Sequence, residues 1–235
     1  MGYPRIRGYA YDCAERELIA MRVIAFVTQK GGSGKSTLAF CCAVAASESG
    51  RSALILDSDP QGTAEAWYQD REAETPRLVK VSGLQLDDAV EKAREHRFDT
   101  VFIDTPGRDE PATAAAIRAA DFCVIPCRPT PGDMKATPPT VATIRRLGKR
   151  AAFVLTQTPP RGARIKEAEA GLSVLGMVCP VHIVHRTAYQ DAQGGGLGVT
   201  EFEPMGKAAG EIRALWAWME RKMEKLGDAT QADVA

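Results

Sequence analysis

The sequence predicts an α/β fold, a mostly parallel twisted sheet with helices on both faces, and three observations carry that prediction. From Met21 onward, short apolar runs alternate with longer segments of helical period, the pattern of repeated βα units. The short runs are almost continuously apolar, as strands are when both faces of the sheet are covered. The first run passes into the first helical segment through a glycine-rich turn, Gln29-Lys30-Gly31-Gly32-Ser33-Gly34-Lys35.

In chain order, the strand candidates are residues 22–27 (RVIAFV), 52–56 (SALIL), 77–81 (RLVKV), 100–103 (TVFI), 122–126 (FCVIP), 151–155 (AAFVL) and 178–184 (VCPVHIV). Between them lie helical stretches at 35–48, 61–72, 85–96, 111–119, 133–147, 164–174 and 205–226. Pro60 fits the start of the second helix, where a missing N–H costs nothing. In the last helix Ala208, Ile212, Leu215, Trp216, Met219, Met223 and Leu226 form one apolar stripe with mixed charges opposite, which reads as a core-facing side. A single domain is thus expected over 21–227. Residues 1–20 are an N-terminal extension, either loosely ordered or upstream of a natural start at Met21, and the small polar residues 228–235 are expected to form a flexible tail.

Composition narrows the function classes. With 45% hydrophobic and 26% charged side chains, the chain can bury a sizeable core. Thirty Lys and Arg balance thirty Asp and Glu, so a charged partner must be met by a local patch. One such patch is expected in residues 140–226, where thirteen Lys and Arg face eight acidic residues. No run approaches the length of a membrane span, and residues 1–20 carry charge and proline where a signal peptide needs an apolar run. A cytoplasmic protein is expected, with no membrane partner. The six cysteines show no CxxC pair and no zinc-ligand spacing, and most lie in apolar runs, which predicts buried thiols.

The segment Gly31-Gly32-Ser33-Gly34-Lys35-Ser36-Thr37 between a strand and a helix is a phosphate-binding loop, which places the fold among the P-loop NTPases. Its glycines let successive N–H groups turn toward phosphate oxygens, and the helix that follows offers its positive end. Lys35 is expected on the β and γ phosphates and the Ser36 hydroxyl on Mg²⁺. Two acidic strand ends follow. Leu56-Asp57-Ser58-Asp59-Pro60-Gln61-Gly62 closes the second strand, and Ile103-Asp104-Thr105-Pro106-Gly107 closes the fourth. Asp104 suits a Walker B carboxylate that reaches the metal through water, whereas an isolated aspartate at either place would also suit a helix cap.

In the usual loop pattern the first glycine would fall on Gln29, and a second lysine, Lys30, follows it here. This form resembles the deviant Walker A box of the ParA/MinD superfamily of ATPases, and Asp57-Ser58-Asp59-Pro60-Gln61-Gly62 resembles that superfamily's box after the second strand. The likeness extends through Pro126-Cys127-Arg128-Pro129-Thr130-Pro131-Gly132-Asp133 to the closing segments at 185–189 and 196–216, and fits the small ParA-type partition ATPases without an N-terminal helix-turn-helix domain.

The resemblance implies ATP and Mg²⁺ as cofactors, Lys30 acting across an ATP-sandwich homodimer, Asp59 orienting the attacking water beside the metal, Asp57 supporting the metal shell, and Asp133 facing the nucleotide. It further implies slow hydrolysis stimulated by a ParB-like or other adaptor. Non-specific double-stranded DNA is the implied surface, with Arg164, Lys166 and Arg213 as contacts and a nucleoid-associated location. Alternatives on the same loop are a MinD-like membrane-cycling ATPase, for which Trp218 at the edge of the last stripe would matter, an iron–sulfur protein through Cys123 and Cys127, and a small-molecule synthetase. Where many relatives carry an adenine-recognising asparagine after the sixth strand, this chain has Thr156-Gln157-Thr158, so adenine preference rests on the family alone.

Overall fold

The computed structural model describes residues 20–107 and 110–232. Seven parallel strands form one sheet: β1 (Arg22–Phe26), β2 (Ala53–Asp57), β3 (Arg77–Lys80), β4 (Thr100–Asp104), β5 (Phe122–Cys127), β6 (Arg150–Leu155) and β7 (Met177–Val178), in the spatial order β3-β2-β4-β1-β5-β6-β7. The strand order reverses around β1, whose neighbours are β4 and β5. A crevice at the carboxyl ends of the strands is expected at such a switch point.

The helices are α1 (Lys35–Glu48), α2 (Thr63–Gln69), α3 (Leu86–Glu95), α4 (Glu110–Ala119), α5 (Pro131–Lys135), α6 (Thr137–Arg146), α7 (Ala163–Ser173), α8 (Ala188–Gly194), α9 (Val199–Phe202) and α10 (Lys207–Ala232). Strand alternation divides the apolar side chains into two cores. Ile24 and Phe26 of β1 join α1, α2, α8, α9 and α10 on one face, and Val23 and Ala25 join α3, α4, α6 and α7 on the other. Helix α1 is buried from Leu38 through Ala46, which explains why it is apolar nearly all round. All three tryptophans, Trp67, Trp216 and Trp218, lie in the first core, with Trp67 stacked on Phe40 at 4.7 Å.

Five elements differ from the sequence expectation. The helix expected over 133–147 is two helices, because Pro138 and Pro139 have no N–H to carry an unbroken helix across Ala136. The strand expected over 178–184 leaves the sheet after Val178, since Pro180 interrupts the ladder, although Cys179 and Ile183 still donate to Phe153 and Leu155. Helices α8 and α9 were not expected, being short and set among glycines. Helix α10 continues to Ala232, through the boundary drawn at 227, while residues 1–19 and 233–235 of the two expected ends lie outside the described residues.

The stripe on α10 is core: Ala208, Ile212, Leu215, Trp216, Met219 and Met223 are all buried. Trp218 is only 7% exposed, with its ring against Phe122 and the Lys222 ammonium above it. Among the described residues, no helix is long and apolar enough to cross a membrane. Cys41, Cys42, Cys123, Cys127 and Cys179 are buried and unbridged, and burial pushes the Cys123 and Cys127 thiols up to about 12. Cys13 lies outside the described residues.

Candidate nucleotide site

The loop leaves the end of β1 and turns sharply into α1. Gly32 and Gly34 adopt φ of +72° and +96°, which a side chain would strain, and Gly34 is the cap of α1. Thr105, at the end of β4, donates its hydroxyl to the Phe26 carbonyl at 2.7 Å and so holds the end of β1. Gly31, Gly32, Ser33, Gly34, Lys35, Ser36 and Thr37 line an open cleft of about 1000 Å³, together with Asp59, Gln61, Thr63, Pro106 and Gly107. The residues expected to cradle phosphate are therefore brought together.

Lys35 is 6% exposed, and its ammonium reaches the Lys30 carbonyl at 3.4 Å. Burial lowers its pKa, against the opposing charges of Asp104 and Asp59. Asp104 is fully buried and lies in register beside Asp57. Burial raises its pKa to about 7; the negative charges of Asp57 and Asp59 push the same way, and Ser36 and Lys35 oppose them. Neither Asp104 oxygen has a partner in hydrogen-bond geometry, so the Ser36 hydroxyl acts on it as a nearby dipole.

A buried, unpartnered carboxylate beside a serine hydroxyl at the start of α1 fits Mg²⁺, a hard cation that takes oxygen ligands and keeps several waters. Among the described residues no group of three or more His, Cys, Asp or Glu side chains forms a metal cage. A site that completes its coordination with phosphate oxygens and water does not require one.

Asp59 stands on the cleft wall, where its carboxylate accepts the Gln61 N–H at 3.0 Å. Asp57, expected to support the metal shell, is engaged by backbone and by Lys80 within the chain. Its carboxylate accepts the N–H of Asp59 at 2.9 Å, the N–H of Glu65 at 3.1 Å and the Lys80 ammonium at 3.2 Å. It acts as a cap for α2 and as the anchor of the Asp59 loop.

Asp133 is not on the cleft wall either. It is 4% exposed and held by the Arg128 guanidinium at 2.7 and 2.9 Å. Burial works to raise its pKa, but the hydrogen bonds and charge of Arg128 outweigh that and hold it below the usual carboxylate value. Asp133 meets the loop only through Arg128, whose Nη1 lies 4.0 Å from where a Cβ on Gly32 would stand.

Lys30 is exposed, and its ammonium makes no ion pair among the described residues. Arg164 and Lys166 are exposed on α7. Arg213 is on the opposite face of the sheet, donates to the Thr200 and Pro204 carbonyls and pairs with Glu48 at 3.5 Å. The three do not form one patch within this chain.

Sequence reasoning missed Lys80, which also donates to the Asp59 carbonyl, and Gly107, where a Cβ would press on Gly31 at 3.3 Å. It missed Thr156 and Gln157 as well, whose side chains bond the loop's own carbonyls. Gly107 was visible as the last residue of Asp104-Thr105-Pro106-Gly107; the others carry no local signal.

A switch-point cleft with a phosphate loop, a buried lysine and an unpartnered carboxylate defines a nucleotide-binding α/β protein. Residues 24–193 match the CobQ/CobB/MinD/ParA nucleotide-binding domain, and the chain belongs to that family. It is 31% identical over 218 residues to the maintenance of carboxysome distribution protein A of Gloeobacter kilaueensis, covering 87% of this chain and 94% of that protein. It is 29% identical over 197 residues to the protein of the same name from Halothiobacillus neapolitanus, with 80% and 91% covered. Its fold is similar to the septum site-determining protein MinD of Pyrococcus horikoshii, solved with Mg-ADP, at a TM-score of 0.72 and 16% identity over 86% of this chain and 97% of that one.

Proposed function

We propose that this chain is a Mg²⁺-dependent ATPase that dimerises around two ATP molecules, binds DNA without sequence preference in that state and positions a cargo. The observation that carries the reading is Asp104, a buried carboxylate left without a hydrogen-bond partner beside Ser36 and Lys35. Such a group is costly to a fold that does not use it. Bound Mg²⁺ would neutralise phosphate charge there.

In this reading the loop amides and Lys35 hold the phosphates, Ser36 and Asp104 hold the metal and its waters, and Asp59 orients the attacking water. Lys30, exposed and without an ion pair among the described residues, acts on the nucleotide of a second copy. Arg164 and Lys166 on α7 are the DNA contacts this structure favours, since Arg213 is engaged with Glu48 and two carbonyls. The relatives named for maintenance of carboxysome distribution support a carboxysome-like cargo, and an adaptor that stimulates hydrolysis belongs to the same reading. A cytoplasmic, nucleoid-associated location follows from the same reading. The buried Trp218 removes the feature that favoured a membrane-cycling alternative.

The test is binding to non-specific double-stranded DNA with ADP, with ATP, and with Asp59→Ala plus ATP, over a salt series. The expected result is binding with ATP only, stronger in the variant because hydrolysis is lost, and weakening steeply with salt. A protein that dimerises with ATP and binds no DNA in any state would refute the DNA-dependent part. Ordinary turnover by Asp59→Ala would refute the role of that residue.

A further inference from the structure

The sixth strand ends beside the phosphate loop, and two consecutive side chains there take hold of two consecutive loop carbonyls. The Thr156 hydroxyl donates to the Ser33 carbonyl at 2.8 Å, and the Gln157 amide donates to the Gly32 carbonyl at 2.8 Å. The first bond is buried and joins residues 123 positions apart in sequence.

The backbone beneath these side chains is fixed from both sides. The Thr156 N–H donates to Cys127 on β5 and the Thr158 N–H to Ile183, at 2.9 and 3.1 Å. Between them Gln157 adopts φ +49°, a left-handed conformation that a non-glycine residue rarely holds. Such a conformation persists where its surroundings over-determine it, and it clusters at functional sites.

A trans peptide points its C=O and N–H in opposite directions. The Gly32 carbonyl shares its peptide with the Ser33 N–H, and the Ser33 carbonyl shares its peptide with the Gly34 N–H. With both oxygens drawn to β6, both N–H groups are turned away from it, and Ser33 and Gly34 line the cleft. We infer that Thr156 and Gln157 are positioning residues for phosphate: they hold two loop amides in their anion-binding orientation before a nucleotide arrives. This rests on the proposed nucleotide site and adds to it a clamp supplied from the opposite side of the switch point.

The test compares Thr156→Val, which keeps the shape and loses the hydroxyl, with Thr156→Ser, which keeps the hydroxyl, and with Gln157→Met, which removes the donor at an exposed position. Affinities for Mg-ADP and for inorganic pyrophosphate are measured by calorimetry, alongside the thermal midpoint. Thr156→Val is expected to weaken both ligands by about three- to tenfold, the value of one lost hydrogen bond. Gln157→Met follows with a smaller loss of the same kind, and Thr156→Ser restores binding.

Equal affinity in wild type, Thr156→Val and Gln157→Met overturns the clamp alone, as does a Thr156→Ser that binds as poorly as the valine variant. A wild-type chain that binds no Mg-ADP overturns the nucleotide reading and the clamp with it. Should the valine variant not fold, Gln157→Met decides the question.

Discussion

Asp57 and Asp104 end neighbouring strands, pair in register and are both fully buried, yet their environments are opposite. Asp57 is satisfied by two backbone N–H groups and the Lys80 ammonium, whereas Asp104 has no hydrogen-bond partner for either oxygen. The same residue type at the same rung of the sheet is satisfied by the fold in one strand and left unsatisfied in the next. What separates them is neighbouring chain: β3 brings Lys80 to Asp57, while β1 brings the loop and its phosphate site to Asp104.

Asp104→Asn separates the two most strongly. It is expected to abolish Mg²⁺-dependent ATP hydrolysis and, in metal-free buffer above pH 7, to raise the thermal midpoint, because it removes a buried charge whose desolvation outweighs the pull of Lys35. Steady-state phosphate release and calorimetry read the two effects. A variant that still hydrolyses ATP at the wild-type rate would mean that Asp104 is no metal anchor.

The mirror experiment is Asp57→Asn, which leaves Lys80 beside a neutral amide and weakens the loop cap. A loss of about 2 kcal/mol in denaturant unfolding is expected, because asparagine offers one acceptor oxygen where the carboxylate serves two backbone N–H groups. Stability within experimental error of wild type would erase the contrast drawn between the carboxylates.

The pH dependence comes next in size. Asp104 titrates at about 7 in the folded chain and near 4 when unfolded, so between those values the native state holds a proton that the unfolded state has released. Metal-free stability should therefore fall as pH rises from about 4 to 7, by roughly 1.4 kcal/mol for each unit of difference, and level off above that. Asp57, also raised by burial, adds in the same direction, so Asp104→Asn flattens the curve without abolishing its slope. Midpoints that rise steadily from pH 5 to 8 in the wild type would reverse the sign and defeat the assignment.

Lys80→Met is the smallest change. It removes a half-exposed ammonium from Asp57 and from the Asp59 carbonyl, and about 1 kcal/mol of stability should go with it. Turnover should drop more than ATP affinity, since the Asp59 loop loses its hold while the phosphate loop keeps its own. Unchanged turnover would leave Lys80 as a surface ion pair.

The fold was legible because β1, β2, β4 and β5 are apolar on both sides and helix α1 is apolar all round, which local pattern reveals directly. The loop was legible because glycine is the residue that takes the φ of positions 32 and 34 without strain. The partners of the loop were not. Lys80 meets Asp57 across 23 residues and Gln157 meets Gly32 across 125, and nothing in either neighbourhood states the pairing. The partner of Asp133 was equally hidden: Arg128, five residues upstream, holds its carboxylate, and Asp133 does not line the cleft within this chain. The expected DNA contacts rest on a resemblance between segments, and such a likeness does not tell that Arg213 and Arg164 lie on opposite faces.

The placement of the three indoles has an optical consequence. Trp67, Trp216 and Trp218 all sit in the core on the α1 side of the sheet, and none lines the cleft. Excitation at the red edge of protein absorbance therefore reports on one half of the molecule, leaving the α3, α4, α6 and α7 layer dark. Trp67 is the useful exception: it is carried by α2, the helix entered from the Asp59 loop, and its ring is stacked on Phe40 of the helix that begins at Lys35. Its emission is a native reporter of any shift between the Asp59 loop and the glycine-rich loop, read without a label.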